Sequence, residues 1–191
     1  QKELKTLFED IGAFEWTALR PDLRETEERS VHCLSFPAKK KTAADTHGVT
    51  YKVRMVSATP KGILTPPEGG FESYAAVISY SDLLYMFSLA VGANLQLKQI
   101  DVRAAFIQAP APRDWMLYFP PEGMLPPDPD KPILRATRAI YGDPEASRAW
   151  CKMWQGLLLR RGFKKVDRAS TWMVRHDHRG FIMIATIVDD S

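Results

Sequence analysis

An α+β fold, with an antiparallel sheet packed on helices, is what this sequence predicts. Three features point there: two hairpin-like pairs of β-rich runs, two helical patterns with recognisable ends, and a chain order that mixes helices with hairpins. The 191 residues suit one ordinary domain, or two small subdomains sharing a core. Apolar residues at 45% and charged residues at 26% give a globular rather than a disordered composition.

The first 30 residues are charged and weakly periodic, and read as a surface leader with room for one short helix. From Val31 to Phe36 and again from Val49 to Val56, apolar residues recur among β-branched neighbours. The polar stretch Lys39 to Gly48 between them makes this a hairpin with a long basic tip. Pro60 to Gly70 reads as a loop. Ser81 is suited to cap a helix running to about Val91, with Leu83, Leu84, Met86, Phe87, Ala90 and Val91 on one face and Gly92 closing it. Leu95 to Val102 reads as a strand. Eight of the 14 prolines fall between Pro110 and Pro132, an irregular connection around one strand, Met116 to Phe119.

The clearest helix runs from Pro144 to Arg161, with Asp143 as its cap and Gly162 as its stop. Ala146, Trp150, Met153, Trp154, Leu157 and Leu158 recur on one face, which makes the tryptophans core residues rather than cofactor ligands. Thr171 to Arg175 and Phe181 to Val188 flank a polar tip and form a second hairpin. His176 and His178 sit at that tip, where a turn explains them better than a metal.

Several classes are excluded. No run of 18 apolar residues occurs, and the N-terminus lacks a signal-peptide layout. Two cysteines, Cys33 and Cys151, form no disulfide framework and no zinc spacing, and read as buried small hydrophobes. The expectation is a soluble intracellular protein. Its net charge of +3 is unevenly placed: −3 over residues 1–34, +5 over 35–62 and +1 over the rest. A concentrated basic stretch is either an anion site or a solvated loop.

The carboxylates carry the chemistry. The run Phe181 to Val188 is apolar throughout, as a strand buried on both faces would be, and ends in Asp189 and Asp190. Asp101 likewise sits inside an apolar run. Acids in such settings are costly to desolvate without a cation. If the two strands are sheet neighbours, three carboxylates converge, and clusters of that kind hold Mg²⁺. Asp189 and Asp190 also fit a simple polar turn.

At these residues the chain resembles the reverse transcriptase of copia-type retrotransposons, over fingers and most of the palm. Five segments match in order. Tyr51-Lys-Val-Arg-Met-Val56 resembles Lys-Ala-Arg-Leu-Val, and Gln99 to Ile107 resembles Gln-Leu-Asp-Val-Lys-x-Ala-Phe-Leu. Tyr118 to Gly123 resembles a Tyr-Met…Pro-Pro-Gly segment. Ala139-Ile-Tyr-Gly142 through Trp150 resembles Ala-Leu-Tyr-Gly-Leu-Lys-Gln-Ala-Pro-Arg-Ala-Trp, and Ile187-Val-Asp-Asp190 the Tyr-Val-Asp-Asp box. The implied layout is a leader (1–30), fingers (31–94) and a palm (95–191) with a fingers insertion around 110–135, truncated before the thumb.

The resemblance implies nucleotidyl transfer from a deoxynucleoside triphosphate to a primer 3′-hydroxyl, on an RNA or DNA template. Asp101, Asp189 and Asp190, with Val102 beside them, take the metal-binding places for two Mg²⁺ ions, or Mn²⁺. Arg103, Ala105 and Phe106 lie along the triphosphate and sugar, with Phe106 crowding a 2′-hydroxyl unless it is an ordinary core residue. Arg54, Lys52, Lys40 and Lys41 become fingers contacts to phosphate, Arg54 foremost. Glu145 stands where the family has a glutamine, so the pocket gains a negative charge that a lysine would have to offset. Ile187 for Tyr and Ser147 for Pro are further departures. Implied partners are template–primer, deoxynucleotides and other Pol regions such as integrase and RNase H, in a cytoplasmic particle or the nucleus, with no membrane. Without a thumb, processive synthesis by this chain alone is not expected. A non-catalytic nucleic-acid-binding module derived from the polymerase is the alternative.

Overall fold

Alternating β-branched and apolar residues form the long hairpin β2 (Ser30–Lys40) and β3 (Thr50–Ala58), antiparallel with Lys40 opposite Thr50 and His32 opposite Ala58. A computed structural model describes residues 5–18, 30–40, 50–58, 73–113, 116–121, 123–166, 171–178 and 180–187, with backbone alone for 30–40, 50–54 and 58. The expected basic tip beyond Lys40 and the loop at 60–70 lie outside those residues.

The hairpin belongs to a five-stranded sheet of order β1-β5-β4-β2-β3, built with β1 (Phe14–Thr17), β4 (Leu117–Phe119) and β5 (Ile133–Ala136). Its pairings are antiparallel except β2 with β4, where Ser30 to His32 run parallel to Leu117 to Phe119. Leu7, Phe14, Met55, Tyr118, Leu134 and Ile140 form its core. This corrects the surface-leader expectation for residues 5–18. A π-helical turn, Thr6–Asp10, buries Leu7, and Phe14 is 5% exposed. Glu15 faces Arg135 in register and meets it at 2.6 Å, a cross-strand pair joining residues far apart in sequence.

The helix expected from Ser81 is α1 (Tyr80–Gly92), and its cap is Ser79, whose Oγ accepts from the Asp82 N–H at 3.1 Å. Of its expected apolar face, Met86 and Ala90 are buried, whereas Leu84, Phe87 and Val91 are exposed. The strand expected over 95–102 pairs with nothing among the described residues, and Leu97 and Ile100 are exposed. The short α2 (Ala105–Gln108) follows.

The main helix is α3 (Ala146–Arg160), starting two residues later than predicted. Asp143 is spent on the preceding turn: its Oδ1 accepts from the Glu145 N–H at 2.8 Å. Trp150 and Trp154 stack at 5.7 Å on its inner face, as core residues. The second sheet, β6 (Lys164–Lys165), β7 (Trp172–Asp177) and β8 (Gly180–Ala185), holds the predicted C-terminal hairpin, closed between Asp177 and Gly180. The expectation that its last strand is buried on both faces is corrected. Among the described residues β8 is an edge strand of this sheet, with Phe181 and Ile182 each 42% exposed. Leu158, Phe163 and Met173 form the core beneath it, so α3 packs into the site cluster described next at one end and into this sheet at the other.

Candidate functional site

The site is built where the 102–109 segment meets the start of α3. Phe106, Ala109, Ala139, Ala146, Trp150 and Cys151 form one buried cluster, with Val102, Ala105 and Tyr141 packed on it. Small residues at 105, 109, 139 and 146 let these backbones approach closely. The Phe106 ring is 7% exposed and lies 5.3 Å from that of Tyr141. Ala104, just before α2, takes φ 54° and ψ 44°, a left-handed conformation costing an alanine about 1 kcal/mol. Asp101 and Glu145 each immediately precede a member of this cluster, so its packing fixes both ends of the site.

Around the start of α3 a small polar group gathers. The Tyr118 hydroxyl donates to Asp143 Oδ2 at 3.4 Å, and Arg113 Nε lies 2.6 Å from Glu145 Oε2. Burial holds the Asp143 carboxyl above its ordinary value, and the Glu145 charge adds to this; the Glu145 N–H, the Tyr118 hydroxyl and Arg113 oppose it. Folding therefore favours the protonated acid. That contribution to stability is present below pH 3.8 and is lost as pH rises through the folded-state value. Asp143→Asn keeps the oxygen that accepts from Glu145, so its melting temperature should gain on the parent's between pH 4 and 7. A gap that does not change with pH contradicts this.

Beside this group opens a cleft of about 440 Å³, walled by Pro110, Ala111 and Pro112 on one side and by Glu145, Arg148 and Lys152 on the other. Arg148 and Lys152 are four apart on α3 and share a face.

The predicted residues distribute as follows. Val102, Ala105 and Phe106 come together with the helix that Glu145 precedes. Asp101 and Arg103 are exposed on the same segment. Positions 40, 52 and 54 share one face of the long hairpin by register, opposite the face on which Met55 is buried. Lys41, Asp189 and Asp190 lie outside the described residues. Among the described residues, no three His, Cys, Asp or Glu side chains come together. Cys151 is a buried free thiol, as expected.

The approach to the acid pair is anchored at Thr186. Its N–H donates to the Thr171 carbonyl at 2.9 Å, its carbonyl accepts from Ile78 at 3.4 Å, and its Oγ1 accepts from the Trp154 indole at 3.1 Å. Thr186→Val removes only the last of these and strands a half-buried indole N–H. A loss of about 1 kcal/mol in urea unfolding is expected; an unchanged midpoint would contradict the anchor.

Sequence reasoning missed Arg113, Tyr118 and Asp143 as site groups. The one available signal was Glu145 itself, a charge where the resemblance implies a glutamine; the cation beside it is an arginine in the proline-rich connection rather than the expected lysine.

Comparison with known proteins shows the family. The reverse transcriptase (RNA-dependent DNA polymerase) family profile matches residues 26–191. The chain is similar to the retrovirus-related Pol polyprotein from transposon RE2 of Arabidopsis thaliana, 29% identical over 141 residues, 73% of this chain and 9% of that protein. It is similar to the one from transposon RE1 of the same plant, 27% identical over 141 residues, again 73% of this chain and 9% of that protein. It is also similar to the one from transposon TNT 1-94 of Nicotiana tabacum, 24% identical over 155 residues, 80% of this chain and 11% of that protein. The chain thus spans about a tenth of the length of these relatives. No solved structure matches at a significant level. No helix among the described residues is long and apolar enough to cross a membrane. With 166 consecutive residues under the family profile, the chain belongs to the reverse transcriptase family, as a region related to retrotransposon Pol polyproteins.

Proposed function

We propose that this chain carries the nucleotide-addition site of an RNA-directed DNA polymerase of a retrotransposon. The observation that carries the reading is the single cluster that gathers Val102, Ala105 and Phe106 against the start of α3. It packs the residues that follow Asp101 against those that follow Glu145, which supports reading the two as parts of one pocket. In the reaction, the primer 3′-oxygen loses its proton and attacks the α-phosphorus of a deoxynucleoside triphosphate. The bond to the β-phosphate oxygen breaks, and pyrophosphate leaves.

Asp101, Asp189 and Asp190, with Val102 adjacent, are the residues that would hold the divalent ions. The donor set fits, because three carboxylates are hard oxygen ligands suited to Mg²⁺ or Mn²⁺, and Asp101 is exposed rather than committed to the core. Bound there, the ions would supply a lowered pKa for the primer hydroxyl and charge compensation for the triphosphate. The chain's own groups do the rest. Lys40, Lys41, Lys52 and Arg54 draw the triphosphate to the hairpin face, and the backbone from Val102 through Arg103 to Ala105 runs along it. Phe106, held against Tyr141, is a rigid wall beneath the sugar that disfavours a 2′-hydroxyl.

Template–primer duplex and deoxynucleotides are the substrates under this reading, and other Pol regions such as integrase and RNase H are partners. The departures at Glu145, Ser147 and Ile187 favour a second reading, a non-catalytic nucleic-acid-binding module. Incorporation of dTMP by the purified chain on poly(rA)/oligo(dT) separates them: template-dependent incorporation supports the polymerase, and none supports the module.

A further inference from the structure

We infer that Arg113 is a positioning residue of the nucleotide pocket: by pairing with Glu145 it lets a charged side chain stand where a neutral amide would otherwise be required. The inference rests on the reading of Glu145 as a pocket residue.

Glu145 is 11% exposed at its side chain and Arg113 15%, so each charge is largely removed from water, and removing one partner would leave the other charge buried. Glu145 occupies the cap position of α3, yet its side chain makes no capping bond. The ion pair with Arg113, rather than a capping bond at the helix end, ties it to the proline-rich segment. Arg113 in turn rides on a segment pinned to the sheet side of the molecule. The Ala139 N–H donates to the Ala109 carbonyl at 3.0 Å, and the Ala111 N–H donates to the Thr137 carbonyl at 3.0 Å. Pro110 bridges to Arg138. The two partners arrive on independent elements, so their contact ties the proline-rich wall of the cleft to its helical wall.

The electrostatic consequence is specific. Without Arg113, the cleft would lose one positive charge beside a buried carboxylate, and its attraction for a triphosphate would weaken. Paired, the two groups present a dipole with no net charge, and Arg148 and Lys152 are the remaining charged groups lining the cleft. The exchange of glutamine for Glu145 is thus compensated within the chain rather than a mark of decay.

The test is steady-state addition of dTMP on poly(rA)/oligo(dT) with Mg²⁺, comparing the parent chain with Arg113→Gln, Arg113→Lys, Glu145→Gln and the double variant Arg113→Gln/Glu145→Gln. Arg113→Gln should raise the KM for dTTP about tenfold while kcat stays within about twofold. Glu145→Gln alone leaves the cleft more positive and should lower KM, and the double variant should return to within about twofold of the parent. Arg113→Lys, which keeps the charge, should stay within about threefold of the parent. A purely structural pair would instead lower kcat through the folded fraction and leave KM alone. The inference is overturned if Arg113→Gln leaves KM unchanged, if the double variant is no better than Arg113→Gln, or if Glu145→Gln leaves KM unchanged or raises it. Should Arg113→Gln fail to fold, Glu145→Gln decides the matter: a lowered KM supports the inference, and an unchanged or raised KM overturns it. No addition by the parent chain would overturn the polymerase reading and this inference together; addition without rescue overturns the inference alone.

Discussion

Gly142→Ala should cost about 2–5 kcal/mol, the sum of roughly 1–2 for left-handed backbone and roughly 1–3 for overpacking. Gly142 has φ +85°, and a Cβ added there would meet the backbone carbonyl of Ser57, closer than any real contact. The carbonyl belongs to β3 and has no flexible end that could yield. The same approach lets the Ser57 N–H donate to the Tyr141 carbonyl at 2.6 Å, so the turn before α3 is tied to the strand that carries Lys52 and Arg54. Gly123 is the control, with φ +85° and nothing within 4 Å of an added Cβ. Gly123→Ala should lose only the conformational part, about 1 kcal/mol. With a melting shift of about 2–4 °C per kcal/mol at this size, the two variants should separate clearly in thermal scans. Equal shifts would contradict the tight turn.

Asp101→Asn should reduce nucleotide addition about a thousandfold or more, if the carboxylate holds a divalent ion. Asparagine has the same shape and keeps one oxygen, so what is lost is the charge. Asp101 is exposed, and stability should change by no more than about 0.5 kcal/mol. An inactive variant that melts with the parent is therefore the expected pair of results. Loss of activity together with a large drop in melting temperature would assign Asp101 a structural role instead.

Both hairpins and the main helix were legible in the sequence because their signals are local. β2 and β3 alternate over long runs, and α3 repeats its apolar residues at helical spacing up to Gly162. β1 and β5 were not legible. Each is four residues long, one buried in a charged leader and one following prolines, and each is stabilised by the other across the chain. The predicted strand over 95–102 shows the reverse case, an apolar run whose Leu97 and Ile100 face solvent without a paired neighbour among the described residues. Both helix starts shifted: α1 begins earlier because Ser79 rather than Ser81 supplies its cap, and α3 begins two residues later because Asp143, its predicted cap, is spent on the preceding turn. At the site, Glu145 was readable as an unusual charge, but its partner Arg113, and Tyr118, which donates to Asp143, come from elsewhere in the chain and reach the start of α3 only in space.

Template-directed addition of a single deoxynucleotide, compared between the parent chain and Asp101→Asn in Mg²⁺ and in Mn²⁺, tests the central claim most directly. The account predicts addition by the parent that requires both template and divalent ion, and its collapse in the variant with folding intact. Addition that persists in Asp101→Asn, or none by the parent under either ion, would contradict it.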